Sequence, residues 1–132
     1  MIKNFFRKVV VGEDYLIRWW VIPRNRFCNV YVHKFIGDDK SLHVHDHPWW
    51  FCSVLLKGSL AETELTDDNC YVTTRIWKFL PRFYPATFKH RILLMGDKPA
   101  WTIVVTGPRR RIWGFHNRQG LVKYQLEEYW ND

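Results

Sequence analysis

Ser41-Leu42-His43-Val44-His45-Asp46-His47-Pro48-Trp49-Trp50-Phe51 sets three histidines at alternate positions and ends in a proline and three aromatics. Alternation is the period of a β-strand, in which successive side chains point to opposite faces. His43, His45 and His47 then share one face, while Val44 and Asp46 take the other. At roughly 3.3 Å per residue, neighbours on that face stand about 6.6 Å apart and the outer two about 13 Å apart. A metal–nitrogen bond is about 2.0–2.1 Å long, so an adjacent pair can chelate one ion and all three on a straight strand cannot. Both His43/His45 and His45/His47 satisfy that limit.

Working outward, the rest of the chain reads as strands of the same kind. Tyr15-Leu16-Ile17-Arg18-Trp19-Trp20-Val21-Ile22, Val30-Tyr31-Val32-His33-Lys34-Phe35 and Trp101-Thr102-Ile103-Val104-Val105-Thr106 are short and rich in β-branched and aromatic residues. Breakers such as Pro23, Gly37, Gly58, Pro81, Gly96 and Gly107 punctuate the chain at intervals of roughly ten residues, the spacing of a sandwich or barrel. Helix is expected only at the ends, over residues 2 to 10 and 124 to 130. With 132 residues, no linker and no internal repeat, one domain covering 1–132 is expected.

Composition excludes several classes. Apolar residues are 47% of the chain and aromatics 17%, which is core material rather than a disordered tract. The first ten residues lack a signal-type apolar run, and nowhere do about 18 apolar residues run together, so neither export nor membrane insertion is expected. Cys28, Cys52 and Cys70 form no Cys-x-x-Cys pair, which argues against a disulfide framework or a thiolate zinc site and fits a reducing cytoplasm. The net charge of +7 is scattered, with Arg109-Arg110-Arg111 as the single true run. It therefore reads as a solvated basic surface before it reads as a nucleic-acid face. Phosphate loops, dinucleotide fingerprints and serine-nucleophile elbows are all missing.

His45-x-His47, followed by Phe51 and Gly58, resembles the first motif of the cupin family, in which the position of Phe51 is usually Glu. Pro85-x-Thr87-x-x-His90 is similar to the second motif, with Thr87 at a glycine position. The resemblance spans about residues 15 to 116 and selects His45 and His47 over His43. The phrases His45-Asp46-His47-Pro48-Trp49-Trp50 and Trp113-Gly114-Phe115-His116 resemble more narrowly a group of small bacterial and phage-borne cupins. The resemblance implies an all-β, single-domain jelly-roll barrel with short terminal helices, a divalent metal on His45, His47 and His90, a small-molecule substrate and a homodimer. Because Phe51 removes the usual carboxylate, the ion keeps its +2 charge, as in three-His cupins such as the thiol dioxygenases, which use Fe(II). Zn, Ni, Co and Cu also suit three imidazoles.

The leading expectation is therefore a dioxygenase-like metalloenzyme. Cys52 stands where mammalian cysteine dioxygenases carry a cross-linked Cys, but the partner tyrosine position is Gly107, so cysteine is not supported as substrate. Two rivals use the same pocket: a non-catalytic module that captures an anionic metabolite or nucleotide, and an epimerase or isomerase with histidine as base. Glu62, which follows the Gly58 turn, is a candidate fourth ligand or general acid/base if its face lines the barrel. Asp46 is expected to make a structural hydrogen bond, and His43 to sit at the rim. Arg75, Arg82, Arg91 and Arg109 are candidate anion donors at the mouth, with Tyr84 and His116 nearby. Trp49, Trp50, Trp77, Trp101 and Trp113 are expected mostly in the core.

Overall fold

The computed structural model describes residues 6–11, 15–38, 44–111 and 113–124. Twelve strands run through them: β1 Arg7–Val11, β2 Leu16–Trp20, β3 Asn29–Phe35, β4 Val44–His45, β5 Phe51–Lys57, β6 Leu60–Leu65, β7 Tyr71–Ile76, β8 Arg82–Tyr84, β9 His90–Leu94, β10 Ala100–Thr106, β11 Gly114–Asn117 and β12 Gly120–Tyr124. They form two six-stranded sheets, ordered β1-β2-β3-β10-β5-β8 and β12-β11-β4-β9-β6-β7, with antiparallel pairing between neighbours. The architecture is the expected all-β jelly roll, and the described residues contain no helix. None is therefore long and apolar enough to cross a membrane.

One expectation is corrected. The helix anticipated at residues 2 to 10 is, over Arg7–Val11, a strand paired with Leu16–Trp20. Val9, Val10 and Val11 explain it, since β-branched side chains lose χ1 freedom in a helix and pack well on a pleated surface. Of the C-terminal helix anticipated at 124 to 130, Tyr124 ends β12 and the remainder lies outside the described residues, as does His43.

Strict alternation positions the interior. β3 and β10 both bury every second residue along their full length, and β2 does the same. Leu16, Phe35, Leu55, Leu60, Ile92 and Ala100 belong to one apolar cluster between the sheets, while Trp20, Tyr31, Phe51, Tyr84 and Val104 form a second, more aromatic one. Fully burying a side chain such as Leu55 or Leu60 stabilises the fold by about 1.5–3 kcal/mol. Gly58, at φ +86°, makes the β5–β6 turn where a Cβ would lie 2.7 Å from the Ala100 main chain. Only glycine fits there.

The tryptophans divide more than composition suggested. Trp113 is buried and Trp49 and Trp101 are half-buried, but Trp77 is 60% exposed and Trp50 39%. Trp77 follows β7, the edge strand of its sheet, whose residues are exposed from Tyr71 to Arg75. Trp50 lies over Gly107, where any Cβ would come within 2.2 Å of its indole nitrogen.

Candidate metal centre

His45 ends β4 and His90 begins β9, and the two are directly paired across that ladder. The chain leaves β4 at Asp46 and is pinned on both sides: Asp46 N donates to Gly114 O at 3.1 Å, and His47 N donates to Ala86 O at 2.9 Å. This keeps His47 on the same side as His45 although the strand has ended. Ring centroids are 5.0 Å apart for His45–His47, 5.2 Å for His45–His90 and 4.9 Å for His47–His90, a nearly equilateral triangle. One nitrogen from each ring lies within 4.8 Å of the others. Three equally spaced donors bonded to one ion at about 2.1 Å stand no more than about 3.6 Å apart, so the ion would draw the rings slightly together. The cluster expected from the two motifs is thus assembled.

Asp46 holds the frame of the cluster. Its Oδ1 accepts from Gly114 N at 2.7 Å, and its Oδ2 accepts from Arg111 Nη1 at 2.9 Å and lies 3.0 Å from His116 Nε2. Arg111 also donates to His47 O at 3.1 Å. His116 therefore acts through Asp46, and the structural hydrogen bond expected of Asp46 is a small network.

Glu62 is 1% exposed and stands behind His90. Its Oε1 lies 3.0 Å from His90 Nδ1, and its Oε2 accepts from Tyr84 OH at 2.8 Å and from Arg82 Nη1 at 2.6 Å. Arg82 and Tyr84 come from β8 in one sheet and Glu62 from β6 in the other, so the group ties the two sheets together. Burial acts to raise the Glu62 carboxyl, but His90, Tyr84 and Arg82 outweigh it and hold the group below its ordinary range. Burial and the adjacent Glu62 charge push the Tyr84 phenol up, so it remains a donor. With Nδ1 of His90 engaged by a carboxylate, Nε2 is the nitrogen left for an ion.

His47 is held well below the usual histidine range, by burial first and then by His90 and His45; Arg111 adds to this and the Phe88 main chain opposes it. The ring is therefore neutral, the state a metal requires of an imidazole. Its Nδ1 is buried, and the Phe88 main chain is the group that bonds the ring. Phe51, in place of a carboxylate, lies 4.5 Å from the His47 ring and stacks on Tyr84 at 4.5 Å. Three convergent imidazole nitrogen donors fit a divalent ion of the first transition row.

The cluster opens on a cavity of about 100 Å³ between the sheets. Its far side is lined by residues that a motif reading passes over: Arg18, Tyr31, His33, Thr102 and Thr106. Arg18 is 5% exposed and its Nε donates to His33 Nε2 at 2.9 Å, while its guanidinium lies 4.3 Å from the centre of the Tyr31 ring. To accept that bond His33 must be neutral, and burial followed by Arg18 holds it well below the usual range. Of the arginines expected at the mouth, Arg82 reaches Glu62, Arg75 lies over Trp77 at 4.9 Å, Arg91 is half-buried on β9 and Arg109 is exposed.

No protein-family model and no curated protein sequence matches the chain. Solved structures do. A single-residue variant of the oxalate decarboxylase of Bacillus subtilis superposes with a TM-score of 0.62 at 14% identity, covering 80% of this chain and 29% of that one. The hydroxypropylphosphonic acid epoxidase of S. wedmorenis gives 0.59 at 14% identity, covering 76% and 55%. Peruvianin-I, a cysteine peptidase from Thevetia peruviana latex, gives 0.62 at 11% identity, covering 87% and 73%. The decarboxylase has Mn(II) centres and the epoxidase has been obtained with Fe(II). This chain spans under a third of the decarboxylase and about half of the epoxidase. A decarboxylase, an epoxidase and a peptidase on one scaffold show that the shared property is architecture. The chain has the cupin fold, with a three-histidine cluster at the place where its sequence resembles the two cupin motifs.

Proposed function

We propose that the protein is a mononuclear metalloenzyme of dioxygenase type, with Fe(II) held by His45, His47 and His90 and a small, anionic substrate bound in the cavity beside it. The observation that carries this is the triangle of imidazoles with Glu62 locking the tautomer of one of them. An ion held by three neutral ligands supplies open coordination positions for a small substrate and O₂, or acts as a Lewis acid on a substrate oxygen.

The chain's own residues supply the rest. Glu62 fixes the His90 ring and raises its basicity through the Nδ1 bond. Phe51, Tyr84 and Trp113 wall the cavity with aromatic surface, which limits water beside the histidines. Glu62 acts here as a positioning residue, since its oxygens are already engaged by three side chains. A metal-free isomerase is less favoured, because a lone histidine base needs none of the convergence seen here.

Elemental analysis of tag-free protein, purified anaerobically without chelator, tests the reading. Near-stoichiometric iron is expected, and it should vanish in His47→Ala and His90→Ala with the fold intact by circular dichroism. Protein without metal in both wild type and variants refutes the metalloenzyme. Stoichiometric zinc, which has no redox chemistry, in place of iron refutes the dioxygenase while keeping the site.

A further inference from the structure

The cavity has two unlike walls. On the β4–β9 side the polar atoms belong to the three histidines. Opposite lies a polar row built by register: Arg18 on β2 pairs with His33 on β3, which pairs with Thr102 on β10. Alternation adds Tyr31 and Thr106 to the same inner face, two residues from His33 and four from Thr102. All five line the cavity that the histidines open on.

One of these groups is anomalous as pure structure. The Thr102 hydroxyl is buried, in a residue 3% exposed, and has no hydrogen-bond partner of good geometry, while the hydroxyls of Tyr31 and Thr106, in residues 1% exposed, have only each other. Leaving a buried hydroxyl unpaired costs about 1–3 kcal/mol, and folding alone would favour Val at position 102. A polar group kept at such a cost marks a place where a ligand completes it. Charge then gives the sign. Arg18 is the one permanent cation among the lining residues, and Asp46, the one acid, is engaged by Arg111. Arg18 has further contacts, so its part rests on its buried charge and not on an idle nitrogen. Burial raises the Tyr31 phenol above its ordinary range, with Arg18 and then the neighbouring Thr106 hydroxyl opposing, which leaves it a donor.

Size suits a small ligand. An apolar cavity of about 150 Å³ takes benzene, and this one, open on one side, is about 100 Å³. An acid of a few carbons fits within it.

We propose that Arg18, Tyr31, Thr102 and Thr106 form a carboxylate-binding wall, and that the substrate is a small organic acid whose far end bears a hydroxyl, carbonyl or thiol directed at the histidines. This rests on the proposed metal site for the far end only. The wall also differs from surface arginine pairs in kind: its donors are fixed on three adjacent strands before any ligand arrives, so little ordering entropy opposes binding.

The test uses acetate and glycolate, with acetamide as the neutral isostere, in calorimetric titrations of the protein as isolated and of metal-free His47→Ala. Both acids should bind and acetamide should bind at least tenfold more weakly. Thr102→Val should weaken acetate about tenfold in both proteins while the ligand-free melting temperature stays equal or rises, because an unpaired buried hydroxyl has been removed. A purely structural hydroxyl would give the reverse, a lower melting temperature with unchanged affinity. Arg18→Gln should weaken both acids by more than tenfold; should that variant fail to fold, Thr102→Val still decides. Acetate binding that depends on Thr102 in the metal-free protein supports the wall even if the metal reading fails. Glycolate binding that needs the metal but ignores Arg18 and Thr102 overturns the wall and leaves the metal reading standing. Acetamide binding as tightly as acetate, or no acid binding in either protein, also overturns it.

Discussion

The two walls of the cavity use polar groups in opposite ways. Behind the histidines, Glu62 has both oxygens engaged by His90, Tyr84 and Arg82, and Asp46 is similarly occupied by Gly114, Arg111 and His116. Across the cavity, the buried Thr102 hydroxyl has no well-placed partner, and those of Tyr31 and Thr106 have only each other. Saturated groups fix geometry, because a carboxylate with both oxygens engaged holds its neighbours in one arrangement. Unsaturated ones keep binding capacity in reserve. The comparison assigns placement to the first wall and recognition to the second.

The largest effect should come from loosening the saturated wall. Glu62→Gln keeps the shape but makes the acceptor neutral and halves its accepting capacity, so His90 loses its charged partner and Arg82 its counter-ion. Metal affinity is expected to fall about 10- to 100-fold, measured by competition with a chromophoric chelator. Stability should drop by about 1–3 kcal/mol in urea unfolding of the metal-free protein. Equal affinity in the variant would mean that Glu62 does not orient the ligand ring and that this wall is ordinary core.

An intermediate effect comes from acid, and it reaches both walls. His33 and His47 are each held well below the ordinary histidine range. A group whose folded pKa is depressed contributes stability that is present above its unfolded pKa and is lost as pH falls through the folded value. The loss should therefore begin below about pH 6.5, the unfolded value. The metal-free protein should show a falling unfolding midpoint from there downward, and His33→Gln should remove part of the slope. Glu62 adds a second, lower window, because its carboxyl is held below its usual range in the fold. A midpoint flat down to about pH 5 would contradict the neutral, buried state of both histidines.

How much of this was legible in the chain differs between the walls. The histidine wall was readable through the resemblance: spacing alone left His43/His45 and His45/His47 open, and the two cupin-like motifs, His45-x-His47 and Pro85-x-Thr87-x-x-His90, name the three residues. Glu62 was legible only conditionally, since the Gly58 turn sets its face but not whether that face is inside. Its role behind His90 depends on register between β6 and β9, which no local pattern encodes. The recognition wall was missed. Leu16-Ile17-Arg18-Trp19-Trp20 does place a cation between two inward apolar residues, and that break in alternation was the available signal. Tyr31-Val32-His33-Lys34-Phe35 repeats it. Thr102 and Thr106 gave none, because threonine is an ordinary strand residue on either face. The N-terminal strand was missed for a related reason: a valine run beside charges has no period to separate helix from edge strand, and pairing with β2 decides.

The smallest effect is the sharpest test of separateness. Glu62 on β6 and Thr102 on β10 lie in different sheets, have no hydrogen-bond partner in common, and belong to layers that pack about 10 Å apart. Mutations so related usually add within about 0.3–0.5 kcal/mol. In the metal-free, ligand-free protein, the stability change of Glu62→Gln plus Thr102→Val should equal the sum of the single changes within that margin. A coupling clearly above it would mean that the walls are one network already in the empty protein. With acetate present the single Thr102→Val effect should change and the Glu62→Gln effect should not, because the acid completes the hydroxyl wall and leaves the carboxylate behind His90 untouched.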